Sequence, residues 1–525
     1  MAYKHGVYTS EMPTSVLPPV SVDSAIPFIV GTAPVGMSDE SNVNRPVLCQ
    51  TYGDFVKAFG FVPAEADSAS GKKKFRYSLC EAAYTYFALY GAGPIICVNV
   101  LDPAEHRTDA VVQSITVPST GTLTIEETGI IPSTVVISRT IEGEQGEEDT
   151  VITYVAGTDF ELSWTDEGFL VVNALRSTTG QDILDAQIGE TDSTNDVVDS
   201  SDSWLLPVGA SLSFSAYKTD PGALAVADVI GGISASDGSK SGLELIEDVF
   251  PRLGVIPGVI LCPGFSDRPS VAAVMGAKCT GINGLFRCVC VCDVPTGTVD
   301  QYSGVYAWKV QNGYTDPNQV VCWPMLELDG TIFDLSVHVG ARMAATDGDN
   351  DGVPYVSPSN KAAKCTATVL ADGTEVWLNN ETASYLNGLG IVTAQNWTSG
   401  WVVWGNRTGV YPGSTDPKDA FIPVRRMFNW LANTLITTYW QRVDFPLNKR
   451  LVQTVVDSAN IWLNGLAARQ YILGGRVEFL ESENPVTSLE DGICTFHLYV
   501  TPPTPAREID FVLEYDVSYL STLFE

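Results

Sequence analysis

The chain has 525 residues, too many for a single hydrophobic core, and its length predicts two to four domains. Thirty basic residues against 62 acidic ones give a net charge of −32, the wrong sign for binding nucleic acid phosphates or an anionic membrane. No apolar run is long enough to span a bilayer, and the first residues lack the apolar stretch of a signal peptide, so we expect synthesis in a cytoplasm.

The first 23 residues contain a short extended pattern, Gly6 to Glu11, which ends at Met12-Pro13. The proline-rich stretch TSVLPPVSVDSA separates this pattern from the next apolar segment. A strand isolated in this way has no neighbour with which to pair its main-chain groups. We therefore expect residues 1–23 to be an arm that pairs outside its own fold.

An α/β pattern occupies residues 24–104 and returns over residues 216–355. Within residues 24–104, a pair of apolar strands flanks a helix in KKFRYSLCEAAYTYFALYGAG. Within residues 216–355 we predict strands over Val259–Cys262 and Phe286–Cys292, and helices over Pro269–Cys279 and Gln301–Val310. Together the two segments predict one α/β domain that is split by an insertion.

The insertion, residues 105–215, is rich in Thr, Ser, Val and Ile and reads as a series of β-strands. It holds 20 acidic and 3 basic residues, a net charge of 3 − 20 = −17. About a fifth of the chain therefore carries over half of its net charge. We expect an acidic, β-rich domain that faces solvent.

A C-terminal α+β domain is predicted over residues 356–505, with two amphipathic helices followed by strands. Beyond the TPPTP linker, residues 506–525 contain an alternating pattern, which predicts a strand with one buried and one wet face. In this pattern Ile509, Phe511, Leu513, Tyr515 and Val517 alternate with Glu508, Asp510, Val512, Glu514 and Asp516. The apolar positions of this last strand are Ile509, Phe511, Leu513 and Tyr515.

Basic residues are concentrated between residues 423 and 476, where seven of them face only two acidic ones, a net charge of +5. Either these are solvated helix faces, or they form a docking surface for an acidic partner that weakens with salt.

Three motifs suggest ligand chemistry, but simpler interpretations are favoured. DGDNDG at 347–352 starts like a calcium loop, but Pro358 occupies the position that needs a bidentate Glu, which favours a polar turn. FRCVCVCD carries three alternating thiols, but neighbours on one strand face are about 6.6 Å apart, too far to share one zinc, which favours a buried strand. GGISASDGSKSG lacks the Gly-Lys-Ser/Thr order of a phosphate loop and favours a capped turn. We predict no catalytic, cofactor-binding or metal site.

Six stretches follow one another along the chain: HGVYTSE, SGLELIEDVFPRLGVIPGVILCPG, DGDNDGVPYVSPSN, SGWVVWGNRT, the helix pair from Arg425 to Leu466, and GRVEFLESENPVTSLEDGICTFHLYVTPPTPAREIDFVLEY. Taken in this order, they resemble the tail sheath proteins of contractile phages and related injection machines. Residues 105–215 are not matched, the 11 cysteines are many for such a protein, and DGDNDG is more acidic than the usual turn.

The resemblance implies an α/β (α+β) multidomain subunit that polymerises with itself as stacked hexameric rings around an inner tail tube. It also implies contraction that drives the tube through a cell envelope, partners in the baseplate and tail terminator, and a place in a virion tail assembled in the host cytoplasm. Direct nucleic-acid binding, membrane insertion and a cofactor are not expected. Strand exchange between subunits is expected through Gly6, Val7, Tyr8, Ile509, Phe511, Leu513 and Tyr515, and tube contact through Arg425, Arg426, Lys449 or Arg450.

Two alternatives remain open from the sequence. An enzyme on the split α/β domain predicts a monomer or small oligomer with a ligand pocket. A surface-array or adhesin-like protein is suggested by the acidic insertion, but it would require export. We also hypothesise that some cysteines form disulfides between subunits once a particle meets oxidising surroundings.

Overall fold

The computed structural model describes residues 22–141, 149–176 and 204–524. The predicted exchange residues Gly6, Val7 and Tyr8 lie outside these ranges. Buried apolar side chains form three clusters: a large one in the α/β body, one in the inserted region and one around the C-terminal helices. Within the described residues, none of the helices combines the length and the apolar character needed to cross a bilayer.

The strands of the described residues fall into one large sheet, three smaller sheets and a two-stranded sheet near the C-terminus. They are β1 Pro27–Gly31, β2 Val47–Cys49, β3 Glu65–Asp67, β4 Lys72–Lys74, β5 Ile95–Asn99, β6 Val111–Thr116, β7 Thr122–Thr128, β8 Val136–Ile141, β9 Thr150–Tyr154, β10 Phe160–Trp164, β11 Phe169–Ala174, β12 Ser211–Ala216, β13 Val259–Leu261, β14 Val289–Asp293, β15 Gln319–Cys322, β16 Met325–Leu328, β17 Thr331–Phe333, β18 Lys361–Ala362, β19 Ala367–Val369, β20 Ile391–Trp397, β21 Gly400–Trp404, β22 Gly474–Glu478 and β23 His497–Thr501.

The helices include the pair predicted within residues 216–355 and the predicted C-terminal pair. They are α1 Tyr52–Phe59, α2 Ser78–Ala83, which continues as a π-helix over Tyr84–Leu89, α3 Val226–Ile230, α4 Ile246–Leu253, α5 Pro269–Lys278, α6 Tyr302–Gln311, α7 Leu335–Gly348, α8 Asn380–Asn387, α9 Pro417–Ala420, α10 Ile422–Tyr439, α11 Lys449–Ala468 and α12 Val486–Glu490.

The large sheet has the strand order β18-β21-β20-β15-β14-β13-β1-β5-β2. From β20 to β5 all neighbouring strands are parallel. Parallel sheets need both faces covered by other elements, which explains why β1 and β5 are apolar runs that are buried at every position. The α/β prediction for this region of the chain is confirmed.

The sheet extends beyond the expected boundary at residue 356, because β18, β20 and β21 add to one of its sides. Val321 of β15 pairs in parallel with Ile391 of β20, across 70 residues of sequence. The boundary at 356 therefore cuts through one sheet, and the C-terminal unit begins close to Ile422, where α10 starts.

The inserted region is built from antiparallel strands, in a three-stranded sheet β10-β11-β7 and a four-stranded sheet β6-β12-β8-β9. Its buried side chains, among them Phe160, Leu170 and Phe214, form a cluster separate from the main core. This β-rich region has a core of its own, as an inserted domain requires. Its outward-facing position in an assembly remains a prediction.

All 11 cysteines are free thiols; ten of them are buried and Cys494 is half-buried. The thiols of FRCVCVCD belong to the interior, with Cys290 and Cys292 on β14, so the buried-strand interpretation is confirmed. In GGISASDGSKSG, Ile233 pairs with Lys240 across a turn, but Ser241 does not cap the following helix with its side chain.

Candidate interface between subunits

The chain ends in a segment that covers no core, residues 506–524, which we call the C-terminal arm. Its alternating side chains Ile509, Phe511, Leu513 and Tyr515 are 71%, 85%, 94% and 77% exposed. Such a row of large exposed apolar groups is typical of a surface that another protein element covers. Within the described residues of the chain, nothing does.

The conformation of the arm differs from the predicted strand. Residues 502–516 have no regular secondary structure, and Val517–Phe524 form a 3-10 helix in place of the predicted strand end. A strand needs a neighbouring strand to satisfy its main-chain groups, and the arm pairs with no strand of the described body. The alternating pattern is therefore present without a pairing partner inside the subunit.

A two-stranded sheet, β22 with β23, lies immediately before the arm, and Val477 pairs with Leu498 in its register. Asn460 of α11 donates to the Val477 carbonyl at 3.1 Å and accepts from the Val477 N–H at 2.8 Å. At Val477 the outer edge of β22 is therefore occupied by a side chain. Since main-chain groups alternate sides along a strand, those of Leu498 and Val500 face the opposite edge.

The opposite edge, that of β23, has no main-chain hydrogen-bond partner among the residues that the structure describes. One face of the sheet is apolar, since Val477 is buried and Leu498 and Val500 pack against the C-terminal cluster. The other face is wet, with the Arg476 guanidinium 4.0 Å from the Tyr499 ring centre. A strand added to β23 would therefore need one apolar and one polar face, which is the pattern of the arm.

The beginning of the described chain, the root of the N-terminal arm, is fixed to the C-terminal helices. The Trp430 indole N–H donates to the Val22 carbonyl at 2.8 Å, and Arg426 donates to the Ser24 carbonyl at 3.3 Å. The Ser24 hydroxyl donates to Asp347 at 2.5 Å. A displacement of this arm would therefore act directly on α10 and on the end of α7.

A buried ion pair forms the centre of this junction. The guanidinium of Arg426 donates to both carboxylate oxygens of Asp347, at 3.0 and 2.5 Å, and each side chain is only 2% exposed. Burial raises the pKa of Asp347, while Arg426 and the hydroxyl of Ser24 counteract that rise. DGDNDG is thus more than the predicted polar turn, because its first carboxylate anchors the last turn of a helix.

This geometry corrects half of the expected tube contacts. Arg426 is buried, and Arg425 is also buried and pairs with Asp419 at 3.0 Å. Both arginines stabilise the subunit from inside. Lys449 and Arg450 are exposed at the start of α11, so the prediction of tube contact is carried forward for these two alone.

The surroundings of Lys449 and Arg450 are apolar and exposed. The loop that leads from α10 to α11 presents Trp440, Val443 and Phe445, which are 60%, 62% and 52% exposed. Exposed apolar groups next to paired cations are the composition of a protein-binding surface. Sequence periodicity could not have shown this, since the loop lies between the two helical patterns.

Three carboxylates, the buried Glu81 and the half-buried Asp293 and Asp334, occupy the carboxyl edge of the large parallel sheet, the place where α/β enzymes keep their ligands. Glu81 accepts from the Asp334 N–H at 2.6 Å, Asp334 accepts from the Gly264 N–H at 2.8 Å, and Asp293 accepts from the Ser336 N–H at 2.9 Å. Among the residues described, no group of three or more His, Cys, Asp or Glu could hold a metal ion. These carboxylates tie strand ends to neighbouring loops.

The burial of these carboxylates and their closeness to one another raise their pKa values. Burial raises the pKa of Asp334 to about 6, the charge of Asp267 adds to that rise, and the Gly264 N–H and Lys74 oppose it. Burial and the charge of Asp334 raise the pKa values of Glu81 and Asp293 well above the ordinary range. The folded protein therefore holds protons here that the unfolded chain releases.

The D334N variant is expected to differ from the wild type in a pH-dependent way. The raised pKa stabilises the wild type fully below pH 4, and this contribution is lost as pH rises through about 6. The free energy of unfolding of D334N relative to wild type should therefore rise by roughly 1–3 kcal/mol between pH 4 and pH 7. Urea titrations at several pH values measure it, with D510N on the exposed arm as the control for loss of one charge. A pH-independent difference would contradict the assignment.

Burial of the thiols restricts the hypothesis of disulfides between subunits to Cys494. Identical mobility of the assembled protein on reducing and non-reducing gels would rule that bond out.

Comparison with known proteins shows which proteins the chain is similar to. No protein-family model matches the chain. The tail sheath protein of Burkholderia phage BcepMu is 25% identical over 533 residues, spanning 99% of this chain and 98% of that protein. A putative prophage major tail sheath protein of Pseudomonas aeruginosa strain UCBPP-PA14 is 26% identical, covering 57% of this chain and 74% of that protein. The chain is a homologue of tail sheath proteins.

Two solved structures have the same fold as this sheath homologue. The sheath complex of the extracellular contractile injection system PVC, in its contracted state, has a TM-score of 0.55 with 14% identity and covers 99% of both chains. The contracted helical sheath of the anti-feeding prophage has a TM-score of 0.53 with 14% identity, covering 98% of this chain and 100% of that one. The mixed α/β multidomain fold of the sheath homologue is therefore shared with sheath subunits along its whole length.

Proposed function

We propose that this tail sheath homologue is the structural subunit of a contractile tail sheath, in which it polymerises as stacked hexameric rings around an inner tail tube. The observation that carries the proposal is the full-length similarity to a phage tail sheath protein, combined with an apolar arm that lacks a partner among the described residues of its own subunit. The sheath would contract and drive the tube through a bacterial envelope. Its place is the virion or an equivalent injection particle, assembled in the host cytoplasm.

Strand exchange is the contact we propose between subunits. Ile509, Phe511, Leu513 and Tyr515 of one arm would cover the apolar cluster beside β23 of a second copy, and the strand would pair with the free edge at Leu498 and Val500. This arrangement satisfies two sets of main-chain groups at once. Gly6, Val7 and Tyr8 of the N-terminal arm are proposed to join the same kind of sheet.

An exchange of this kind is a head-to-tail contact, which propagates into rings or helices because each copy both gives and receives a strand. The root of the N-terminal arm is fixed to the body at Val22 and Ser24. We propose that the bodies turn while the exchanged strands stay paired. Contraction is then a switch between two packings of rigid units. The process needs no cofactor, and we propose a non-enzymatic role.

The proposed partners are other copies of the chain, the inner tube protein, the baseplate and the tail terminator. Negative-stain microscopy of the purified protein tests the assignment. Striated cylinders are expected, whereas a uniform population of monomers or small closed oligomers would contradict it.

Lys449 and Arg450 are the residues that we propose to contact the tube. Reversal of both charges, K449E with R450E, should lower the yield of sheath assembled on tubes at low salt by about tenfold, because like charges would then face an acidic partner. Co-sedimentation with tubes measures the yield. The matched control reverses two exposed lysines of the α/β body, K57E with K73E. Equal yields from the two double variants would show that Lys449 and Arg450 do not contact the tube.

A further inference from the structure

A polar groove of about 430 Å³ lies between the end of the large sheet and the root of the C-terminal arm. Its walls come from the turn before β18, the end of α8, the segment after β21 and the arm root at Pro505, Ala506 and Arg507. The charged side chains that line it are all cations: Lys361, Arg407 and Arg507. The groove is therefore positively charged, although the chain as a whole has a net charge of −32.

Arg407 is held in this groove in a way that leaves its donors free. Its guanidinium lies over two aromatic rings, 4.3 Å from the centre of Tyr411 and 3.7 Å from the centre of Phe421. Contact with two rings restricts the position of the group and uses none of its N–H donors in a conventional hydrogen bond. No side-chain hydrogen bond or ion pair to Arg407 occurs within the described residues.

The neighbouring cations Lys361 and Arg507 also lack a strong carboxylate partner. Lys361 is exposed and has no carboxylate within 4.0 Å among the residues that the structure describes. Arg507 pairs at 2.9 Å with Glu508, but both side chains are about 60% exposed, and such pairs contribute little. Burial lowers the pKa of Arg407, and the nearby charge of Arg507 lowers it further while Tyr411 raises it. An anion placed between these groups would relieve their repulsion.

We propose that this groove binds a carboxylate-bearing segment of a second copy of the chain, with Arg407 as the bidentate anchor. A rigid guanidinium edge matches the two oxygens of a carboxylate. A second copy is the occupant because its surface is rich in carboxylates, with 62 acidic residues in the chain, and because the groove is walled by the root of the arm proposed to pass to that copy. The inference rests on the proposed function for its partner, but its anchor residue takes no part in strand exchange.

The test compares self-association of the full-length wild type with R407Q and K361Q between 50 and 500 mM NaCl, by analytical ultracentrifugation and negative stain. R407Q should need about tenfold more protein for half-assembly at low salt, K361Q a smaller increase in the same direction, and both should depend less on salt. The control is R107Q, which removes a guanidinium 4.4 Å from the Tyr217 ring centre, away from the groove. Its half-assembly concentration should stay within about twofold of the wild type.

Thermal melting separates loss of fold from loss of contact, and K361Q, at an exposed position, tests the groove without a change in packing. Assembly of R407Q and K361Q at wild-type concentrations would overturn the inference, as would a wild type that stays monomeric at all concentrations. If inorganic phosphate stabilises the wild type but not R407Q, and the two proteins assemble equally well, then the ligand of the groove is a free anion and not a second copy. If the wild type self-associates without forming cylinders and R407Q weakens that association, the proposed function fails while the groove assignment stands.

Discussion

Truncation of the chain after Pro505 is expected to abolish cylinders while leaving the subunit folded. The arm that is removed carries Ile509, Phe511, Leu513 and Tyr515, all at least 71% exposed, so the subunit loses almost no buried surface. In the assembly the same four side chains would be covered, and each is worth about 1.5–3 kcal/mol when fully buried. Sedimentation and negative stain should show no cylinders, and the melting temperature should move by less than about 2 °C.

Point substitutions within the intact arm separate strand exchange from simple loss of length. F511D with L513D places two carboxylates on the apolar face and should block assembly as fully as truncation does. D510N lies on the wet face and is the matched control, which should assemble normally. Ordinary cylinders from the truncated chain, or from F511D with L513D, would show that the arm is not a contact between subunits.

Replacement of Arg426 by Met is expected to lower the free energy of unfolding by about 3–5 kcal/mol, because it leaves the carboxylate of Asp347 buried without its cation. The same change also removes a hydrogen bond to the root of the N-terminal arm at Ser24. Chemical denaturation of the purified subunit measures the loss.

The matched control for this buried pair is an exposed one. R252M removes the guanidinium that contacts Asp248 at 2.8 Å with a side chain that is 58% exposed, and it should cost less than about 1 kcal/mol. R426M combined with D347L should recover some of the loss, since no unpaired charge then remains. If R426M were no more destabilising than R252M, the energetic cost assigned to the unpaired Asp347 carboxylate would be wrong.

The central strands and the C-terminal helices could be predicted from the sequence because their signals are local. β1 and β5 are continuous apolar runs, as a doubly covered parallel sheet requires, and α10 and α11 show helical spacing of apolar residues. The extension of the sheet past residue 356 could not be predicted, because it depends on Val321 pairing with Ile391, and nothing in either segment alone specifies that partner.

The role of Arg426 is also beyond local reasoning. Arginine is rarely buried unless it is paired, and its partner Asp347 lies 79 residues earlier, in a motif that has the composition of a surface turn. A local pattern therefore groups Arg425 and Arg426 with the exposed cations of the same region. For the arm the opposite holds: the alternating pattern indicates a strand, but the strand needs a partner that the described residues of the subunit do not supply.

The amide of Asn460 occupies both main-chain groups of Val477 on the β22 side of the terminal sheet. A strand donated by another copy would therefore add on the β23 side, and any further strand would add next to it. An assembly built through this contact would be polar, because the direction from donating subunit to accepting subunit would be the same at every step.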